Sequence, residues 1–514
     1  MRTSSFAMFG GSLLFLGGLA AAPAQATDWP QFGFGGKHSG FNTDENTISA
    51  ANVSQLVALY PDPIVLPAIV DGAPVYLAGV ATPGGTKNLL FLFADNMSKN
   101  CSSTGYLVAI DADDGSTVWS KETSGCQPAT ASPATDPDRL YVYSYGLDGK
   151  VHKYQVGDGT EITSGGWPET ITLKTNVEKG ASSLTIANSG STNYLIAVTD
   201  GYIGDGGDYQ GHLVSINLAN GSQTVFNAMC SDQSVHLGDG ACAYVQSGIW
   251  GRGGATFNAA TDRVYIATGN GHFQVDSSHY NWGDSVLALA VDGSGNGGGM
   301  PRDSYTPANF QQLDDQDLDL GSISPAILPV PANSTVAHLG MQVGKDAVMR
   351  LIDLDNMSGT GAPGHVGGEL QLLAVPQGGI GMREQPAVWV SPTDHSTWVF
   401  VANGSGISGV QLGLNQANQP LLTTRWTKTT ASTSPIVANG VLYNVGACNG
   451  GTCVIGRNPL TGNVGWTSPP IGPVHWQSPI IVDGAIYVTN NNAKLYKFGL
   501  PGDVIFDDGF DGNP

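Results

Sequence analysis

The sequence predicts an all-β fold: a single β-propeller of about eight four-stranded antiparallel blades, with seven as the alternative count. Three observations carry that expectation: a strand unit that recurs along most of the chain, a composition rich in turn formers, and no linker that would divide the chain. The unit opens with a Ser-Pro-apolar strand and continues with a strand rich in β-branched and aromatic residues. It ends in a strand closed by Asx-x-x-Gly, often followed by Trp. Clear copies are ASPATDPDRLYVY with LVAIDADDGSTVW, TSPIVANGVLYNVG with VIGRNPLTGNVGW, and QSPIIVDGAIYVTNNNAKLYKF. Repeats of roughly 40–60 residues built from alternating strands cannot cover both faces alone, so neighbours must stack radially around an axis.

First strands fall near Pro67, Ala131, Ser182, Ala255, Ser324, Pro386, Ser434 and Ser478. The last copy stops at Phe498, so closing the ring draws on the N-terminal segment, where TDWPQFGFGGKHSGFN precedes the first blade. Trp119, Trp426 and Trp466 recur at corresponding blade ends, which suits large apolar rings docked between blades.

Gly supplies 71 of 514 residues and only 12% of residues are charged, a balance that fits many tight turns between short strands. The net charge of −21 excludes a phosphate-backbone partner, which would need clustered Lys and Arg. No nucleic-acid partner is expected.

The start of the chain predicts export. Arg2 gives a positive n-region, residues 6–22 an apolar run, and Ala24-Gln25-Ala26 a small-x-small cleavage site. The expected organisation is a signal peptide over 1–26, the propeller over 27–500 and an acidic tail over 501–514, in a periplasmic or extracellular protein with no membrane span. Six cysteines form three close pairs in an oxidising compartment, so the expected disulfides are Cys101 with Cys126, Cys230 with Cys242, and Cys448 with Cys453. There is no CxxC, no CxxCH for covalent haem, and no GxSxG, HExxH or GxxxxGK[ST].

Residues 200–350 carry more than repeat structure. They read YIGDGGDYQGHLVSINLANGS, SGIWGRGGATFNAATDRVYIATGNG, NWGDSVLALAVDG, DDQDLDLGSISPAILP and HLGMQVGKDAVMRLIDLD in turn. The order and spacing of these pieces resemble the central blades of the pyrroloquinoline-quinone (PQQ)-dependent alcohol dehydrogenases, the quinoproteins. The resemblance implies that Trp250, in GIWGRGG, lies flat against the quinone. A further Trp between blades is the alternative. It implies that Asn270, in ATGNG, is a calcium ligand through its side-chain carbonyl, although Asn-Gly is equally a hairpin signal. In LDDQDLDLG it implies a calcium-binding Asp that also takes the substrate's hydroxyl proton, with Asp317 the first choice and Asp319 the second. A solvated acidic loop is the competing reading of that cluster. Lys345, in GKDAVMRLID, matches the basic residue that contacts the quinone oxygens.

Two departures from the family stand out. No two cysteines are adjacent, whereas the alcohol dehydrogenases carry an adjacent pair over the quinone face. The family's metal-binding Glu has no counterpart except Asp205 or Asp208 in GDGGDYQGH. The resemblance therefore implies a dehydrogenase that oxidises an alcohol or sugar by Ca²⁺-assisted hydride transfer to PQQ and hands electrons to an external acceptor. The alternative is a non-enzymatic propeller of the same repeat type that serves as a binding or assembly platform for a protein partner.

Overall fold

The computed structural model describes Met1 and residues 27–98, 101–201, 206–276 and 280–502. The expected signal peptide, nearly all of the acidic tail, and Asp205 lie outside the described residues. Eight antiparallel sheets follow one another along the chain as blades. The innermost strands of blades 1 to 8 are Val75–Thr82, Ala134–Thr135, Thr185–Ser189, Thr256–Asn258, Ala326–Leu328, Ala387–Val390, Ile436–Ala438 and Ile480–Val482. Among the described residues no helix is long and apolar enough to cross a membrane, and the single α-helix is Phe310–Asp315.

The ring closes through the N-terminal segment, by a different stretch from the one the sequence suggests. Lys494–Gly499 of blade 8 is flanked by Val57–Ala58 and Ile64–Val65, both antiparallel to it. The residues around Pro67 thus trail the outer edge of blade 8, and blade 1 begins at Val75. The seam between last and first blades is apolar: Ile480, Ile486 and Val488 pack in one cluster with Tyr76, Leu90 and Leu92. Burying that cluster is what holds a ring with no covalent closure.

The TDWPQFGFGGKHSGFN segment instead crosses the axis and ties the innermost strands together. Trp29 exchanges backbone bonds with Tyr76 of blade 1 at 2.8 and 2.9 Å, and the Pro30 carbonyl accepts from Thr135 of blade 2 at 2.8 Å. The Gln31 side chain accepts from the Ile186 N–H of blade 3 at 2.8 Å. Carbonyls of Gly36, Ser39 and Gly40 accept from Phe257, Val388 and Val437 of blades 4, 6 and 7 at 2.7, 2.8 and 2.7 Å. Phe41–Asn42 then adds a parallel strand to blade 7. Fully buried His38 sits within this crossing, with Nδ1 2.7 Å from the Phe32 carbonyl and Nε2 2.9 Å from the Thr185 hydroxyl.

The Asx-x-x-Gly-Trp unit acts as a lock between blades. Trp119, at the outer edge of blade 1, donates from Nε1 to the Val156 carbonyl of blade 2 at 2.9 Å, and Trp426 donates to Pro459 of blade 7 at 2.8 Å. Each ring lies against the glycine of the next blade's turn. A Cβ on Gly159 would sit 2.7 Å from the Trp119 ring, and one on Gly462 2.6 Å from Trp426. Both glycines have positive φ, +69° and +68°, so the turn and the packing demand the same residue. Trp466 repeats the bond to the Leu56 carbonyl at 3.1 Å, beside the strands that complete blade 8. The three expected disulfides are all present.

Candidate functional site

The segments just ahead of the innermost strands, and those just after the second strands, gather at one face of the ring. There they line a cavity of about 240 Å³ walled by Lys179, Asp200, Tyr209, Trp250, Asn270, Asp317, Asp319, Lys345, Arg383 and Trp476 together with Gly201 and Gly248. Blade 4 contributes Trp250 ahead of its first strand and Asn270 after its second. Blade 5 contributes Asp317 and Asp319 ahead of its first strand and Lys345 after its second. The sequence-derived candidates Trp250, Asn270, Asp317, Asp319 and Lys345 therefore meet around one space, although they span nearly 100 residues of chain.

Asp319 is the centre of the polar contacts. Its Oδ1 accepts from the Asn270 backbone N–H at 2.6 Å, and its Oδ2 lies 2.5 Å from the Lys345 ammonium. The Lys345 backbone N–H in turn donates to the Asp319 carbonyl at 3.0 Å, so blade 5 grips its own first loop. Close approach at this point requires glycine: a Cβ on Gly269 would stand 2.4 Å from Asp319 Oδ1. Asp317 shares the same ammonium at 2.6 Å but sits at the rim, 61% exposed at its side chain against 5% for Asp319. Burial pushes the Asp319 carboxyl above its ordinary range, and the neighbouring ammonium draws it only part of the way back. Burial works to lower the Lys345 pKa, but Asp319 and Asp317 outweigh it and leave that pKa raised. The ammonium also stands 5.4 Å from the centre of the Trp250 ring.

Asp208 does not line the cavity. Its carboxylate accepts from the Gly240 N–H at 2.7 Å and the Gln210 amide at 2.9 Å, and it pairs with the buried Lys174 at 3.2 Å.

The donors that are described do not suit a calcium ion, which takes six to eight oxygens. Both oxygens of Asp319 already meet hydrogen-bond donors, and Lys179, Lys345 and Arg383 bring three cationic groups to a space with three carboxylates. Among the described residues no three His, Cys, Asp or Glu side chains come together as a metal cluster. The same space has the indoles of Trp250 and Trp476 in its wall, which suits a planar aromatic ligand.

Lys179, Asp200, Arg383 and Trp476 escaped the sequence reading. Lys179 lies in EKGASS and Asp200 in VTDGY, where nothing marks an axial position. Trp476, in HWQSP, stands just ahead of the first strand of blade 8, as Trp250 does in blade 4, and aligning the repeats on that strand would have shown it. The ten-His scatter hides a further point: His475 stacks on Trp476 with ring centres 4.0 Å apart.

Comparison with known proteins agrees with the architecture. The PQQ_2 family model, described as outer membrane protein assembly factor BamB, matches residues 77–264, from blade 1 into blade 4. No curated protein matches the sequence. Among solved structures, the quinohemoprotein alcohol dehydrogenase ADHIIG from Pseudomonas putida HK5 superposes with a TM-score of 0.61 at 13% identity, over 92% of this chain and 80% of that one. The quinohemoprotein alcohol dehydrogenase from Comamonas testosteroni gives 0.58 at 15% identity over the same shares. A europium-containing methanol dehydrogenase gives 0.59 at 12% identity over 92% of this chain and 98% of that one. At these identities the likeness is one of fold. The chain is built as an eight-bladed PQQ-like β-propeller and resembles the quinohemoprotein alcohol dehydrogenases in fold.

Proposed function

We propose that this protein is an exported quinoprotein-type dehydrogenase that binds PQQ in the axial cavity and oxidises the hydroxyl of an alcohol or sugar. The observation that carries this reading is the convergence of Trp250, Asn270, Asp319 and Lys345 on a single cavity. Had those groups lain around the outer rim, no redox reading would stand.

PQQ, when bound, supplies an ortho-quinone that accepts a hydride. The chain's own residues do the rest. Trp250 offers an indole face on which a planar ring lies. Lys345, 5.4 Å from the Trp250 ring centre, would bring positive charge beside a ring held on that indole and stabilise negative charge developing there. Asp319 accepts the hydroxyl proton of the substrate as its carbinol C–H bond breaks and its electron pair leaves with the hydrogen, so a carbonyl remains. A carboxyl raised by burial is the better base for that transfer, provided it is ionised. The Asn270 N–H and the Lys345 ammonium hold it in place and favour the ionised form. Because the donor set does not suit calcium, no step is assigned to a metal. A bound quinone reduced in this way would need an external electron acceptor, since the sequence has no CxxCH haem motif.

The test is titration of the purified chain with PQQ, with and without Ca²⁺, followed by reduction of a redox dye in the presence of primary alcohols and aldoses. Saturable PQQ binding with alcohol-dependent dye reduction supports the reading. No binding and no thermal shift at saturating PQQ leaves the alternative, a propeller that acts as a binding or assembly platform.

A further inference from the structure

Two stretches of chain leave the cavity wall side by side. Gly248 and Asn270 both line the cavity, the Ser247 N–H donates to the Asn270 carbonyl at 2.8 Å, and Gln246 pairs with Gly271 in an antiparallel bridge. Further out along the same two stretches Tyr244 meets His272 ring to ring, with centres 5.0 Å apart and planes 9° from parallel. His272 is two residues beyond Asn270, so its backbone stands at most about 7 Å from the cavity wall, at about 3.3–3.6 Å per residue. The stack has a polar edge of its own. Gln274 Oε1 accepts from His272 Nε2 at 3.0 Å and from the Tyr244 hydroxyl at 3.4 Å, and Gln274 Nε2 donates to the Asp276 carboxylate at 2.6 Å. His272 and Asp276 are exposed, while Tyr244 and Gln274 are half-buried.

That combination matches one kind of ligand. The ring face of a stacked pair takes the C–H face of a sugar, and an amide beside a carboxylate takes hydroxyls, which donate and accept alike. The inner cavity asks for the same chemistry. Its wall holds Lys179, Lys345 and Arg383 but also Asp200, Asp317 and Asp319, so its charges offset one another. A neutral ligand rich in hydroxyls finds donors and acceptors throughout such a wall. A small monohydric alcohol uses one hydroxyl near Asp319 and leaves the outer stack untouched.

We propose that Tyr244 and His272 form an outer subsite for a sugar ring, and that the substrate is a neutral disaccharide or longer glycoside. One ring of it enters the cavity toward Asp319, and the next lies on the stack with its hydroxyls on Gln274 and Asp276. This rests on the reading of the axial cavity as a dehydrogenase site and names the substrate class within it.

The test pairs binding with turnover, with cellobiose, maltose and lactose as probes and 1-propanol as the small alcohol. Saturation-transfer NMR on the purified chain without added cofactor should show at least one disaccharide bound through both of its rings. His272→Ala and Tyr244→Ala should each weaken that binding by about two- to tenfold, the range of one aromatic contact. His272→Tyr should restore it, and unchanged melting would show that each variant is folded. In the PQQ-loaded chain the two alanine variants should raise KM for the disaccharide, with kcat nearly unchanged, and leave KM for 1-propanol as it was. Disaccharide binding that both alanine variants leave intact overturns the subsite. Turnover of 1-propanol by a chain that binds none of the three disaccharides also overturns it and spares the dehydrogenase reading. Disaccharide binding that depends on His272, in a chain that neither binds PQQ nor reduces dye, keeps the subsite and removes the dehydrogenase. Neither disaccharide binding nor turnover overturns both.

Discussion

The Asn270 backbone N–H donates to Oδ1 of Asp319 at 2.6 Å, joining blade 4 to the loop that leads into blade 5. That bond, with the Lys345 ammonium on the opposite oxygen, sets apart Asp319 from Asp317 two residues away. One carboxylate is enclosed and held from two sides. The other is at the rim with a single shared contact. Under the proposed function, this difference assigns the base to Asp319.

Asp319→Asn should lower PQQ-dependent dye reduction by about 10²–10⁴-fold, the usual worth of a general base, while PQQ binding persists. Asp317→Asn should change the rate far less. Because burial raises the Asp319 carboxyl and the base must be ionised, kcat should rise with pH through that raised value. A flat pH profile, or equal losses in the two variants, would contradict the assignment.

Chelation should leave PQQ binding and turnover unchanged, since the described donors around Asp319 already meet Lys345 and Asn270 rather than a free cation site. The measurement is PQQ titration before and after exhaustive treatment with EDTA. Loss of binding that Ca²⁺ restores would show that a metal joins the site.

Asp284 is buried beneath Asp319, with Oδ1 accepting from the Leu320 N–H at 2.8 Å and Oδ2 without a partner. Burial first, and the nearby Asp319 charge after it, push its carboxyl well above the usual range. The folded state therefore binds this proton more tightly than the unfolded chain does. Its contribution is fully present below the unfolded value of about 3.9 and is lost as pH rises toward the folded value. Asp284→Asn, which cannot ionise, should flatten the fall in stability above pH 4, read from urea midpoints across pH.

His38 carries the opposite sign. Burial lowers its imidazole pKa despite its carbonyl contacts, so its contribution is present above the unfolded value of about 6.5 and is lost as pH falls through the lowered one. His38→Ala removes its contacts to Phe32, Thr185 and Ala255 within the axial crossing. It should cost about 2–4 kcal/mol in urea unfolding, from lost packing and unsatisfied partners together.

The disulfides should rank by the loops they close. Cys101–Cys126 spans 25 residues and Cys448–Cys453 spans 5. On chain entropy alone, replacing the first pair by Ser should destabilise by about 1.4 kcal/mol more than replacing the second. Calorimetry of the two double variants would show the order.

Much of this molecule is legible in the chain itself. The Ser-Pro strands, the Asx-x-x-Gly-Trp turns and the paired cysteines are local patterns, and local physics explains each of them: a turn needs positive φ, a Trp needs a glycine beneath it, two nearby thiols close a short loop. Those patterns predicted the all-β class, the eight blades and the disulfides. Trp250, Asn270 and Lys345 could be named because they stand in recognisable order around the strands of blades 4 and 5.

Only the tertiary structure decided the rest, because it depends on contacts between distant parts of the chain. Which strand completes blade 8 was settled by pairing between residues 57–65 and 494–499, and the crossing of Trp29 to Asn42 over the axis by hydrogen bonds to seven blades. The different burial of Asp317 and Asp319 also comes from the tertiary structure, and a loop of alternating acids does not encode it. Trp476 reaches the cavity because the ring brings blade 8 back beside blade 1 and blade 4 reaches across to it through Arg252, a proximity that arises only when the last blade meets the first.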